Sequence, residues 1–145
     1  MTKPSANDVM LVSGLTELAV GAMTGWPMAL ATEDPERARA VGIRSTARLR
    51  QWHLDLIALG ALNVLVSMAV PDLPKRVAYP LTLGTWTNAN LFGVLVFAPG
   101  AKEKLPYKGG AAVSFVATSW GFTGAAATAA LRMRRSRGRR GLLRR

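Results

Sequence analysis

Four stretches of this chain, residues 9–31, 49–70, 77–98 and 110–132, are predominantly apolar, and the few polar residues inside them recur at helical spacing. A bilayer core of about 30 Å needs roughly 20 such residues in helical form. The pattern therefore predicts an all-α chain with four membrane-spanning helices. Their limits make chemical sense. Asn7-Asp8 is placed to cap the first helix, Pro71-Asp72-Leu73-Pro74 ends the second, and Pro99-Gly100 ends the third. Thr32-Glu33-Asp34-Pro35-Glu36 has the cap, early proline and acidic residues of a helix start, so the second helix is expected to begin near Asp34, outside the membrane.

Inside the spans, small and polar residues form stripes. The first carries Gly14, Glu17, Gly21, Thr24 and Gly25. The third carries Thr85, Trp86, Asn88, Asn90 and Gly93, and the fourth Ser114, Thr118, Gly121, Ala125 and Thr128. On the second, His53, Leu56, Gly60, Asn63 and Ser67 are three or four apart, which puts all five within about 80° of one another. In lipid, small residues let helices approach and polar groups bond between them, so these stripes are expected to face the bundle interior or a subunit contact.

Charge sharpens this picture. Lys and Arg outnumber Asp and Glu by 19 to 8, an excess that in a soluble protein would suggest nucleic acid or an acidic surface. Here the charges collect between the apolar spans, and residues 77–98 and 109–131 contain no Asp, Glu, Lys or Arg. A soluble four-helix bundle, which needs charged residues every few positions on its outer faces, is disfavoured by that pattern. Lys3, Lys75, Arg76 and the eight Arg of residues 132–145 fall on one side of an even-numbered bundle. Five Arg between 37 and 50 and three Lys between 102 and 108 fall on the other. The positive-inside rule then puts both termini in the cytoplasm and the protein in the cell membrane. Residues 1–131 make one transmembrane domain, and 132–145 a basic tail directed at anionic headgroups rather than at nucleic acid. A cleaved signal peptide fits poorly, because Asp8 cancels Lys3 and Glu17 interrupts the first apolar run. With no cysteine, disulfides, thiolate metal sites and cysteine nucleophiles are excluded.

Three ionisable residues lie a turn or more inside the spans. His53, the one histidine, lies about a turn inside its helix, where neutral imidazole can hydrogen-bond, carry a proton or bind a metal. The alternative is a histidine anchored to a neighbouring backbone carbonyl, and the residues alone leave both open. Glu17 is costly in a membrane unless protonated or paired. Asp55 projects about 160° away from His53 and is expected to pair with Arg48 or Arg50. No multi-histidine or carboxylate cluster suggests a zinc-type site, but a single axial ligand to haem needs only one histidine and an apolar pocket.

Several short pieces resemble the small four-helix membrane isomerases, styrene oxide isomerase and hydroxylaminobenzene mutase. Gly25-Trp-Pro-Met-Ala-Leu30 is similar to the end of their first helix. Arg50-Gln-Trp-His53-Leu-Asp55, with Gly60 seven places after the histidine, is similar to the basic-His-Leu-acidic stretch of the mutases, and Trp86-Thr-Asn88 matches a Trp-x-Asn of the epoxide isomerase. The resemblance covers roughly residues 10–132. It implies haem b held between the subunits of a homotrimer, with His53 as axial ligand to the iron and Gly60 part of the cofactor site. It also implies a Lewis-acid rearrangement of a small hydrophobic substrate, either an epoxide to an aldehyde or an arylhydroxylamine to an aminophenol, in a cavity that excludes water. Trp86, Asn88 and Phe92 are candidates to line that cavity. At one position the chain departs from the family, which has asparagine before the glycine that matches Gly60. Leu59 stands there instead, leaving Asn63 and Asn88 as the asparagines available to orient substrate. The competing expectation is a non-enzymatic membrane protein, an interaction or accessory subunit, whose stripes serve helix association alone. A transporter is a more distant third, since four helices are few and no broken-helix pair is evident beyond the Gly-Trp-Pro at residues 25–27.

Overall fold

The computed structural model describes residues 3–142, with side chains through residue 136; Met1, Thr2 and the last three residues of the basic tail lie outside the described residues. The described residues are helical with no strand: α1 Ala6–Met23, α2 Gly25–Glu33, α3 Pro35–Ala40, α4 Thr46–Ala69, α5 Lys75–Phe97, a 3-10 turn Pro99–Glu103, and α6 Leu105–Leu142. Two segments, Ala6–Glu33 and Thr46–Ala69, are long and apolar enough to cross a membrane. The third and fourth predicted spans also fall on helices, α5 and α6. At 38 residues, or ~57 Å, α6 continues well past residue 132 into the arginine-rich tail.

The first span is interrupted at Thr24, between α1 and α2. Pro27 is the cause that the sequence supplies: it has no N–H, so the Met23 carbonyl loses its partner four residues on. The second span differs from expectation in a different way. Asp34 does cap a helix, its carboxylate accepting from the Arg37 N–H at 3.0 Å with Pro35 in the first turn, but that helix is α3 and stops at Ala40. Gly42, at φ 93°, turns the chain. Its N–H donates to the Arg39 carbonyl and the Ile43 N–H to the Ala38 carbonyl, a Schellman stop that separates α3 from α4. α4 then starts afresh on a Ser45 cap.

Neighbouring helices meet through glycines. A Cβ on Gly14 of α1 would lie 2.7 Å from the Gly60 carbonyl oxygen, and one on Gly60 would lie 2.9 Å from the Gly14 carbonyl oxygen. The α1 and α4 backbones are therefore in direct contact, as small-residue stripes allow. Gly84 of α5 sits against Thr118, and Gly121 of α6 against Leu81, making the α5–α6 seam in the same manner. Apolar clusters close the two ends: Met10, Val70, Val77, Leu81 and Ala125 at one, and Ala31, Ala38, Ile43, Leu49 and Val96 at the other. Between them lies a buried polar layer containing Glu17, Asn63, Thr85 and Ser114.

Cross-links fix the ends. Ser5, rather than Asn7-Asp8, caps α1, forming a reciprocal capping box with Asp8. Asn7 has another task. Its Nδ2 donates to the Ser67 and Val70 carbonyls at 2.7 and 2.9 Å, and its Oδ1 accepts from the Leu73 N–H at 2.8 Å. Arg132 of α6 reaches the same turn, 3.6 Å from the Asp72 carboxylate. The start of α1, the 70–74 turn and the basic stretch of α6 thus meet at one end.

Candidate functional site

His53 sits two turns into α4, opposite the place where α1 breaks. Its Nδ1 is 2.9 Å from the Gly21 carbonyl oxygen and 2.9 Å from Thr24 Oγ1, whose own hydroxyl donates to Gly21 O at 2.6 Å. A carbonyl oxygen can only accept, so the tautomer assigned from this network carries its proton on Nδ1 and leaves the lone pair on Nε2. Nε2 has no partner among the described residues and is not buried, and the ring as a whole is half-buried. Gly25 lies beside it; a Cβ there would be 4.0 Å from the ring's Cε1, an ordinary van der Waals contact. Met23 and Trp26, which flank Thr24 and Gly25 in the sequence, are 69% and 80% exposed, and Leu54 is half-exposed. A groove of about 320 Å³ between α2 and the start of α4 begins one turn away, bordered by Met28, Ala31, Leu49 and Arg50.

These features fit a single axial ligand. Metal-binding histidines characteristically donate the other ring N–H to a carbonyl, which fixes both tautomer and ring orientation. No group of three or more His, Asp or Glu that could hold a metal occurs among the described residues.

The other sequence candidates fall elsewhere. Gly60 is at the α1–α4 crossing, with Leu18 N 2.9 Å from a Cβ placed on it, and it serves helix contact. Asn63 is fully buried, ten residues or ~15 Å along α4 from His53, and donates to Glu17 and Thr85. Trp86 donates its indole N–H to Ser13 Oγ at 2.8 Å, between α5 and α1. Asn88 is half-buried on α5 and makes no side-chain hydrogen bond among the described residues. Phe92 lies under the Arg48 guanidinium, 5.7 Å from the ring centroid. Arg48 projects about 140° around α4 from His53, so Phe92 and His53 do not border one cavity within a single chain. Arg48 also donates to Gln51 Oε1 at 2.7 Å, and the ion pairs among the described residues join Asp72 and Glu103 to basic residues. The expected pairing of Asp55 with Arg48 or Arg50 is not made among the described residues; Arg48 is instead committed to Gln51 and Phe92.

Gly21 and Thr24, which read as packing residues in the sequence, are the atoms that orient His53. No sequence signal singles them out: the carbonyl that Pro27 frees is that of Met23, whereas Gly21 O also accepts from the Thr24 N–H at 3.2 Å. Compared with protein families, curated proteins and solved structures, the chain matches none.

Proposed function

We propose that this chain is a multi-pass membrane protein, a four-helix bundle assembling as a homotrimer, that carries haem b on His53 and rearranges a small hydrophobic or aromatic epoxide or arylhydroxylamine without net redox change. The membrane part rests on the two spanning-length helices and on the distribution of side chains. Leu15, Leu65, Met68, Leu83, Phe115 and Val116 point outward, more than half exposed, while Glu17, Asn63 and Thr85 are enclosed. A water-facing surface that apolar would be a liability, and in lipid it is the expected one. Both termini are cytoplasmic in this reading, on the excess of basic residues at that end.

The observation that carries the enzymatic part is the His53 ring, with Nδ1 tied to Gly21 O and Nε2 free beside Gly25. When bound, ferric haem supplies a Lewis acid for the substrate oxygen. The chain supplies the rest. Gly21 and Thr24 hold the imidazole, while Met23, Trp26 and Leu54, beside these residues in the sequence, are exposed apolar side chains that a second subunit would have to cover before water is excluded from a cationic transition state. Trp86, Asn88 and Phe92 lie off the His53 face of their own chain, so a role for them in the reaction requires contact between subunits.

A second reading is favoured by the same bonds: His53 straps α4 to the break in α1, and the chain is a non-enzymatic membrane subunit. An assay separates the two. Haem-loaded protein in detergent is given an aryl epoxide or an arylhydroxylamine, and the product is followed by chromatography. The isomerase reading expects turnover that His53→Ala abolishes while helical content is kept. No turnover by wild type, together with a loss of fold in the variant, supports the strap.

A further inference from the structure

The polar layer between the two apolar clusters holds a second constellation that the His53 reading does not use. Glu17 of α1, Asn63 of α4 and Thr85 of α5 each have 0% exposure. Asn63 Nδ2 donates to Glu17 Oε2 at 3.2 Å and to Thr85 Oγ1 at 2.6 Å, and the Thr85 hydroxyl donates to the Thr82 carbonyl at 3.0 Å. Every donor hydrogen of the cluster is then spent. Two acceptors remain, Glu17 Oε1 and Asn63 Oδ1, both buried without a partner. One is the second oxygen of the Glu17 carboxylate and the other the single oxygen of the Asn63 amide, two groups already joined by one hydrogen bond.

The surrounding helices offer no counter-charge. α5 has no ionisable residue between Tyr79 and its end at Phe97, and α6 has none from Gly109 to Leu131. On α4, His53 is occupied with Gly21 and Thr24, and Asp55 has the same sign as Glu17. The layer lacks one positive charge and one link between two oxygens. A water molecule would supply the link and leave the charge uncompensated. One monovalent cation supplies both.

We propose that Glu17, Asn63 and Thr85 form a buried oxygen-only site for a monovalent cation, a proton or a small alkali ion, held between Glu17 Oε1 and Asn63 Oδ1. With a proton, Glu17 donates to Asn63 Oδ1 and closes an acid–amide ring with the existing bond from Nδ2. With an alkali ion, the carboxylate and the amide oxygen are hard ligands from two helices, and Thr85 of a third holds the amide through its hydrogen bond from Asn63 Nδ2. Occupancy ties α1, α4 and α5 together at mid-depth, independently of whether His53 binds haem.

The test uses the full chain in lipid nanodiscs. Infrared spectra of wild type and Glu17→Gln are compared in H2O and D2O, and thermal unfolding is measured in sodium, lithium and choline chloride. A carboxylic-acid carbonyl band that shifts in D2O and is lost in Glu17→Gln establishes the proton. A carboxylate band with an unfolding midpoint that rises with sodium or lithium but not choline, a rise lost in the variant, establishes the alkali ion. A carboxylate band with no ion dependence overturns the proposal, leaving water as the occupant. Should Glu17→Gln fail to fold, 13C-glutamate labelling of the unsubstituted chain assigns the same bands.

Discussion

Replacing Gly60 by alanine adds a single methyl group at the tightest crossing of α1 and α4. That methyl would meet Gly14 O and Leu18 N at 2.9 Å and Glu17 Cβ at 3.1 Å. Two of the three obstacles are backbone, so no rotamer change clears them and the helices must move apart by roughly half an ångström. A gap of about that width forfeits about a quarter of the dispersion energy of the contacts it opens. Overpacking of this kind costs about 1–3 kcal/mol. The better helix propensity of alanine returns about 0.5–1 kcal/mol. The net expectation is a loss of about 0–2.5 kcal/mol centred on ~1 kcal/mol, or about a 5-fold shift in the folding equilibrium at that centre. Gly109→Ala is the matched control, because a Cβ there meets nothing within 4 Å; it should be neutral or stabilising by up to ~1 kcal/mol. Unfolding in mixed micelles of rising dodecyl sulfate content, followed by circular dichroism, measures both. Equal stability of the two variants would refute close α1–α4 contact at Gly60.

Gly93→Ala should displace the Trp52 indole, which lies 2.8 Å from the added Cβ, changing tryptophan fluorescence and destabilising by about 1–3 kcal/mol; an unchanged emission spectrum would count against the α4–α5 packing. Asn7→Ala removes the side chain that joins two carbonyls and one N–H of the 67–73 segment, costing about 1–3 kcal/mol, and hydrogen exchange should quicken at Leu73. Protection there equal to wild type would contradict that role. Gly42→Ala forces a side chain to φ 93° and should lose about 1–2 kcal/mol, whereas Gly100→Ala, in open space, should not.

Helix positions were legible because each element repeats one signal many times. The α4 stripe of Leu56, Gly60, Asn63 and Ser67 is the buried face, and Gly14, Glu17 and Gly21 are its partner on α1. Periodicity reports such faces directly. Single-residue devices were harder to read. Asn7 has the composition of a cap, but its reach across 66 residues to Leu73 depends on how the chain folds back. Gly42 separates α3 from α4 through one positive φ, a conformation with no periodic trace. At the site, His53 was visible as the one histidine on a small-residue face. Its anchors were not distinguishable from packing residues, since Gly21 contributes a carbonyl that every residue has. Asn63 shares the His53 stripe but lies ~15 Å further along α4 and bonds to Glu17 and Thr85, while Trp86 and Phe92 on α5 meet Ser13 and Arg48, because a 100° step per residue sends different positions of one helix into different interfaces.

Absorption spectra of detergent-purified wild type and His53→Ala, oxidised and then reduced with dithionite, test the central claim most directly. The account predicts a Soret band in wild type that shifts on reduction and that His53→Ala loses. A colourless wild type from haem-supplemented cells, or a band that persists unchanged without His53, would contradict it.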